Sequence, residues 1–180
     1  MKVNFKLIWF LNVYFLNLFN NLGYGEIYYT EGEKYLGHWR DGMRTGEGKN
    51  IESDGCVFTG KFKKDSKFGY GEYKTESGDL YQGNWRDDCL NGEGDYELIN
   101  GDKYQGNFVD SKKEGKGYLV WNCGTEYRGA FKEDFMSGLG TLRCSNGNTF
   151  KGDWKDNYLE GKGELVQQGV FEYQGSFKTT

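Results

Sequence analysis

From Tyr35 onward an aromatic ring recurs every 23 residues: Tyr35, Phe58, Tyr81, Tyr104, Tyr127, Phe150 and Tyr173. Taking each as position 1 of a unit, position 3 is always glycine (Gly37, Gly60, Gly83, Gly106, Gly129, Gly152, Gly175). Position 5 is always a second ring (Trp39, Phe62, Trp85, Phe108, Phe131, Trp154, Phe177). Positions 12 and 14 form Gly-x-Gly in every complete unit, from Gly46 and Gly48 to Gly161 and Gly163. Position 21 is glycine at Gly55, Gly78, Gly101, Gly124 and Gly147, and Gly169 falls one place early. The register reaches upstream through Gly23, Gly25 and Gly32, so that of 29 glycines only Gly42 and the displaced Gly169 lie outside the columns. So strict a period describes one supersecondary unit repeated and stacked, with contacts between nearest neighbours.

Parity assigns the faces. Side chains alternate along a strand, so positions 1, 3 and 5 share one face. Pairing positions whose sum is 17 sets ring 1 opposite position 16 (Tyr73, Tyr96, Leu119, Leu142, Leu165), glycine 3 opposite glycine 14, and ring 5 opposite glycine 12. One face is then rings laid over glycines, where a Cβ would obstruct them. The other face pairs Lys151 with Glu164, Asp153 with Lys162 and Lys155 with Glu160 in the sixth unit. Three opposite charges across one hairpin support the register. The first turn is expected over positions 7 to 10, with turn formers at position 8: Gly42, Asp65, Asp88, Ser111, Asp134 and Asn157. The second turn carries glycine at position 21. Keeping the rings on one face there requires an odd-numbered loop, such as three residues ending in a left-handed glycine. The predicted fold class is all-β: an elongated single-layer antiparallel meander of β-hairpin repeats. Its segments are residues 23–34 (half a repeat), 35–172 (six repeats) and 173–180 (a truncated seventh).

Residues 1–22 break the pattern. Lys2 and Lys6 precede an apolar run from Leu7 to Phe19 interrupted by Asn12 and Asn17. Three readings stand: a signal or anchor without a small-residue cleavage site, an artefactual start of the kind AT-rich DNA would encode, or an apolar cap on the first repeat.

Composition limits the functions. A net charge of −4 argues against nucleic acid as a partner. Cys56, Cys89, Cys123 and Cys144 occupy four different positions of their units, which fits neither a disulfide ladder nor a zinc site; free thiols in a reducing compartment follow. Gly46-Glu47-Gly48 lacks the third glycine of a dinucleotide fingerprint, and the other units fail likewise. His38, the single histidine, stands at position 4 opposite Glu47, too little for a metal site or a nucleophile–base pair. No catalytic residue, metal ligand or cofactor is assigned.

Two surfaces remain. The aromatic columns of a single-layer sheet lack a cover of their own, and exposed apolar stripes mark binding surfaces. The groove candidates are Tyr81, Trp85, Tyr104, Phe108, Tyr127, Phe131 and Trp154. On the opposite face position 6 is basic at Arg40, Lys63, Arg86, Lys132, Lys155 and Lys178, with acidic neighbours at Asp41, Asp87, Asp110, Glu133 and Asp156. Arg40, Lys63, Arg86, Lys132 and Lys155, with Lys61 and Lys64, are the candidates for contact with acidic lipid, a weak one because the acids screen them.

Tyr-x-Gly-x-Trp/Phe followed by Gly-x-Gly and a further Gly, on a 23-residue period over residues 23 to 178, resembles the MORN (membrane occupation and recognition nexus) repeat. The resemblance implies a twisted antiparallel sheet with an aromatic groove on its concave side. It also implies non-catalytic scaffolding near membranes or cytoskeleton in the cytoplasm, and frequent homodimerisation. On this reading a protein partner or helix occupies the groove. The alternative is an acidic-phospholipid-binding module, or one regulating a phosphatidylinositol phosphate kinase, as a fragment of a longer chain.

Overall fold

In a computed structural model, residues 23–178, apart from 30 and 168, are described; the readings of residues 1–22 lie outside them. The contacts divide the chain into two compact units, Met1–Cys89 and Leu90–Thr180. The first holds β1 (Gly23–Tyr28), β2 (Lys34–Arg40), β3 (Met43–Ile51), β4 (Val57–Lys63), β5 (Ser66–Lys74) and β6 (Leu80–Arg86). The second holds β7 (Cys89–Glu97, beginning at the boundary), β8 (Lys103–Val109), β9 (Lys112–Val120), β10 (Glu126–Lys132), β11 (Phe135–Arg143), β12 (Thr149–Lys155), β13 (Tyr158–Gln167) and β14 (Phe171–Phe177). Within each unit every strand pairs antiparallel with its chain neighbours, and no helix occurs among the described residues. The fold is the predicted all-β meander.

The 17-sum pairing holds between one repeat and the next: Gly46 faces Phe62, Glu47 faces Lys61, Gly48 faces Gly60 and Asn50 faces Phe58. Inside the hairpin it holds only as far as the glycine pair. Tyr35 faces Asn50 and Gly37 faces Gly48, but then His38 faces Thr45, Trp39 faces Arg44 and Arg40 faces Met43. Positions 12 and 13 form a bulge, and the sum drops to 15. The same break recurs after Gly60, Gly106, Gly129 and Gly152. The shift is even, so every side chain stays on its expected face.

This break corrects three expectations. The first turn is not four residues but two, positions 7 and 8, both left-handed: Asp87 (φ 49°) with Asp88 (65°), Asp110 (47°) with Ser111 (64°). These are the dihedral signs of a type I′ hairpin turn, whose twist matches the strands. Ring 5 faces position 10 in its own hairpin and meets glycine 12 only in the preceding repeat. Finally, Lys151 does face Glu164, but Trp154 faces Leu159 and Lys155 faces Tyr158. Lys155 reaches Glu160 diagonally, at 3.8 Å.

Glycine 12 therefore has a different cause from glycines 3 and 14. It sits in the bulge with left-handed φ (Gly46 61°, Gly115 69°, Gly138 70°), while a Cβ at Gly115 would approach nothing closer than Asn107 Cβ at 4.0 Å. At Gly106 a Cβ would lie 2.7 Å from Gly117 Cα and 2.7 Å from the Tyr104 ring, so there the space is taken. The second turn is the predicted three-residue loop. Glu52 N–H donates to Cys56 O (2.8 Å), Gly55 N–H donates to Glu52 O (3.0 Å), and Gly55 has φ 86°.

Candidate binding surfaces

The ring face is a closed structure. Four position 1 rings, Tyr35, Phe58, Tyr104 and Tyr127, stand edge-on between the position 5 ring of their own repeat and that of the next. Tyr35 lies 5.0 Å from Trp39 and 5.1 Å from Phe62; Phe58 lies 5.2 Å from Phe62 and 5.3 Å from Trp85. In the second unit Tyr104 joins Phe108 and Phe131, and Tyr127 joins Phe131 and Trp154, at 5.1 to 5.4 Å. T-shaped pairs at this spacing each contribute about 0.5–1.5 kcal/mol beyond the area they bury.

The polar atoms of these rings are used internally. The hydroxyls of Tyr35, Tyr104 and Tyr127 donate to the carbonyls of His38, Asn107 and Ala130, the position 4 groups at the register break. The Trp85 and Trp154 indoles donate to the carbonyls of Gly71 and Gly140, each at 3.1 Å. Burial pushes the Tyr35 and Tyr127 phenols up to about 12 and raises Tyr104 as well. Of the seven groove candidates, Trp85, Tyr104, Phe108, Tyr127, Phe131 and Trp154 are buried and Tyr81 is half-buried.

Their cover comes from position 10, which sequence reasoning placed in a turn. The side chains there are Arg44, Lys67, Leu90, Lys113, Met136 and Leu159. Lys67 Nζ lies 4.2 Å from the Tyr73 ring centre, 5.5 Å from Phe58 and 5.6 Å from Trp85, while pairing with Glu52 at 3.0 Å. Arg44 lies over Tyr35 and Phe62, and Lys113 over Tyr96 and Tyr104. Leu90 and Met136, uncharged side chains of the same column, are buried. Long stems with a polar tip suit this place because the stem covers the ring while the tip reaches a carboxylate: Arg44 to Glu33 and Asp65, Lys67 to Glu52, Lys113 to Asp134.

Position 10 is also where repeats are tied together. Its backbone N–H donates to the position 8 side chain of the following repeat: Arg44 to Asp65 (2.7 Å), Lys67 to Asp88, Leu90 to Ser111, Lys113 to Asp134 and Met136 to Asn157. The position 8 N–H returns a bond to the position 10 carbonyl in each case. Position 8 was legible only as a turn former; it is a clasp as well.

The opposite face carries positions 2, 4, 6, 9, 11, 13 and 15. The lipid candidates Arg40, Lys61, Lys63, Lys64, Arg86, Lys132 and Lys155 are all exposed. Several have local company: Arg40 with Asp41 (3.8 Å), Lys61 with Glu47 (3.9 Å), and Lys63 over Phe68 (4.7 Å). His38 faces Thr45 rather than Glu47; its Nδ1 lies 3.0 Å from the Glu47 backbone oxygen, and its ring is edge-on to Tyr24. All four cysteines are free. Sequence reasoning missed one grouping, Glu52, Asp54 and Cys56, whose ligand-type atoms come within 4.8 Å of one another. Glu52 is taken by Lys67 and Tyr73, and Asp54 by the Cys56 N–H. A cavity of about 730 Å³ opens on this face in the second unit, among Arg128, Leu139, Lys151 and Lys162.

A ring ladder, a bulge and a clasp recurring with each hairpin define a β-hairpin repeat protein. The model of the MORN repeat matches residues 35–56, 58–80, 81–103, 104–125, 127–149 and 150–167, and the chain belongs to that family. A comparison with curated proteins finds no match. Among solved structures, the chain is similar to the TCP domain of SAS-4 (dCPAP) of Drosophila melanogaster, in complex with a proline-rich motif of Ana2 (dSTIL). The identity is 14% and the TM-score 0.47, with 85% of this chain and 89% of that one covered. The TCP10 domain of Danio rerio CPAP, in complex with a peptide of Danio rerio STIL, matches at 11% identity and a TM-score of 0.20, with 84% and 98% covered.

Proposed function

We propose that this MORN-repeat chain is a non-catalytic protein-binding or scaffolding module, acting in the cytoplasm at membrane- or cytoskeleton-associated structures. One observation carries the reading. The ring face spends its apolar area and its ring hydrogen bonds on itself, through the hydroxyls of Tyr35, Tyr104 and Tyr127 and the indoles of Trp85 and Trp154. What it builds is a stiff platform, which leaves the opposite face as the surface a partner can use. In this reading the aromatic columns give rigidity, and specificity resides in the non-repeating residues of positions 2, 4, 13 and 15. The test is purification of the tagged chain from its native cells at physiological salt. A stoichiometric protein that co-elutes is expected; elution without any protein partner would overturn the reading.

A second reading, an acidic-phospholipid-binding or lipid-kinase-regulating module, is favoured by one feature. Lys132 faces Phe135 and Lys155 faces Tyr158 at adjacent hairpin tips, and both rings are exposed. Cation beside exposed ring suits a bilayer interface, and each such cation contributes about 1 kcal/mol near an anionic leaflet. The acids at position 7 lie within the ~8 Å Debye length and offset it. Binding to phosphatidylserine vesicles that persists at physiological salt would favour this second reading.

A further inference from the structure

We propose that the face opposite the rings in the second unit is a docking trough for an extended, carboxylate-rich peptide segment. The inference rests on the protein-binding reading above and names the chemistry of the partner.

The trough has a floor and two walls. Gly140, Gly152, Gly163 and Gly175 lie in one row, paired in register across β11, β12, β13 and β14. Their row raises no side chain on this face, because strand alternation turns positions 3 and 14 to the other one. One wall is the row of Arg128, Thr141, Lys151, Glu164 and Gln174; the other row holds Leu139, Asp153, Lys162 and Ser176, all but Asp153 lining the cavity. The depression between them is open and holds about 730 Å³. From β10 to β14 there are four strand spacings of ~4.8 Å, or about 19 Å, which is the reach of roughly six extended residues at ~3.3 Å each.

Charge decides what fits. Arg128, Lys151 and Lys162 line the cavity with Glu164, and even with Asp153 beside Leu139 counted the cations outnumber the acids three to two, in a chain whose net charge is −4. Among the described residues none of these three cations is in an ion pair; the pairs of this unit involve Lys103, Lys113, Arg143 and Lys155 instead. The Arg128 guanidinium is positioned over the Tyr118 ring, 4.9 Å from its centre. Leu139 stands on the second wall with 73% of its surface exposed, a contact for one apolar side chain of the ligand.

The two-walled arrangement favours a peptide over a membrane. An extended chain lying along the floor sends alternate side chains to opposite sides. Carboxylates of opposite parity would therefore reach Arg128 and Lys151 on one wall and Lys162 on the other. A bilayer presents its headgroups from one direction only and meets the hairpin tips first.

The test uses the full chain and a fluorescein-labelled octapeptide of glutamates around one central leucine, read by fluorescence anisotropy. Binding is expected, weakening as salt is raised, and the same peptide with glutamine for glutamate should not bind. The double variant Lys151→Glu, Lys162→Glu should lose about tenfold or more in affinity. The double variant Lys63→Glu, Arg86→Glu, on the same face of the first unit, should bind as the parent does. The replaced lysines are exposed, and an unchanged melting curve would confirm the fold. Equal binding by the parent and the Lys151/Lys162 variant would overturn the proposal. So would phosphatidylserine vesicles that bind through these two lysines while the octapeptide does not. A native partner that co-elutes with this variant as it does with the parent would overturn the trough and leave the scaffold reading intact.

Discussion

The carboxylate of Asp134 accepts the backbone N–H of Lys113 at 2.9 Å, and the Asp134 N–H donates to the Lys113 carbonyl at 3.0 Å. Two residues 21 apart thus form a closed ring of hydrogen bonds between a turn and the preceding repeat, and Lys113 Nζ adds an ion pair to the same carboxylate at 3.0 Å. Asp134 holds this place with φ 74°. Asn reproduces both the acceptor and the tolerance of left-handed backbone, so Asp134→Asn should be close to neutral. Asp134→Gly keeps the backbone and loses the side-chain bond, for about 1–2 kcal/mol. Asp134→Ala loses the bond and adds left-handed strain of about 1–2 kcal/mol. The expected order of urea midpoints is Asp, Asn, Gly, Ala; Ala above Gly would refute the turn geometry.

Glycines 12 and 3 should respond oppositely to the same rescue. Gly115→Ala is strained by φ but has room, and Asn, which tolerates that region, should recover most of the loss. Gly106→Ala meets the Tyr104 ring and Gly117 Cα, an overpacking cost of about 1–3 kcal/mol, and Gly106→Asn should be worse still. Thermal melts of the four variants check this.

The roof over the rings predicts a hydrophobic substitution at a charged residue. Lys67→Met should cost under about 1 kcal/mol, because Met136 fills the same position elsewhere and a long stem is retained. Lys67→Ala uncovers Phe58 and Trp85 and should cost about 1–3 kcal/mol. Chemical denaturation would separate the two, and equal losses would show that the ion pair to Glu52 matters more than cover.

Alkaline pH should unfold the array through its tyrosines. Tyr35 and Tyr127 ionise near 12 in the fold because burial disfavours the phenolate, against about 10 in the unfolded chain. A raised folded pKa gives stability that is complete below the unfolded value. It should therefore be level up to about pH 10 and fall between about 10 and 12 as the unfolded chain releases protons that the fold retains. Ultraviolet titration of the phenols alongside circular dichroism would show the buried class ionising together with loss of structure. Free titration near 10 with structure intact would contradict the ring burial.

Faces, loop parity and the left-handed glycine of the second turn were all readable from period and alternation, because a strand has only two sides. The bulge was not. A glycine looks the same in the sequence whether it makes room for a ring, as Gly106 does, or takes a left-handed φ, as Gly115 does. The roof at position 10 escaped for a related reason. Arg44, Lys67, Leu90, Lys113, Met136 and Leu159 share length and flexibility but not hydropathy, so the column has no signature on a polarity scale. Without that roof in view, the rings of Tyr104 and Tyr127 looked like an open groove. The trough escaped because position 2, which holds Arg128 and Lys151, is Leu36, Thr59, Gln82, Gln105 and Gln174 elsewhere, and Lys162 belongs to position 13; neighbouring strands bring the three together.

The ring ladder also bears on how such a chain can change length over generations. Because the Tyr127 ring is shared between Phe131 and Trp154, no repeat owns a complete set of contacts, and a cut at any point severs equivalent ones. Excising one whole period, such as 127–149, would bring Trp154 to Tyr104, a Tyr–Trp junction already made by Tyr127 with Trp154. Duplicating one period restores the ladder in the same way, whatever the breakpoint. An insertion of any other size displaces the ladder, the bulge and the clasp together. Unequal exchange between gene copies can thus lengthen or shorten the array in whole repeats, while a frame-preserving change of intermediate size would break the ladder where it falls.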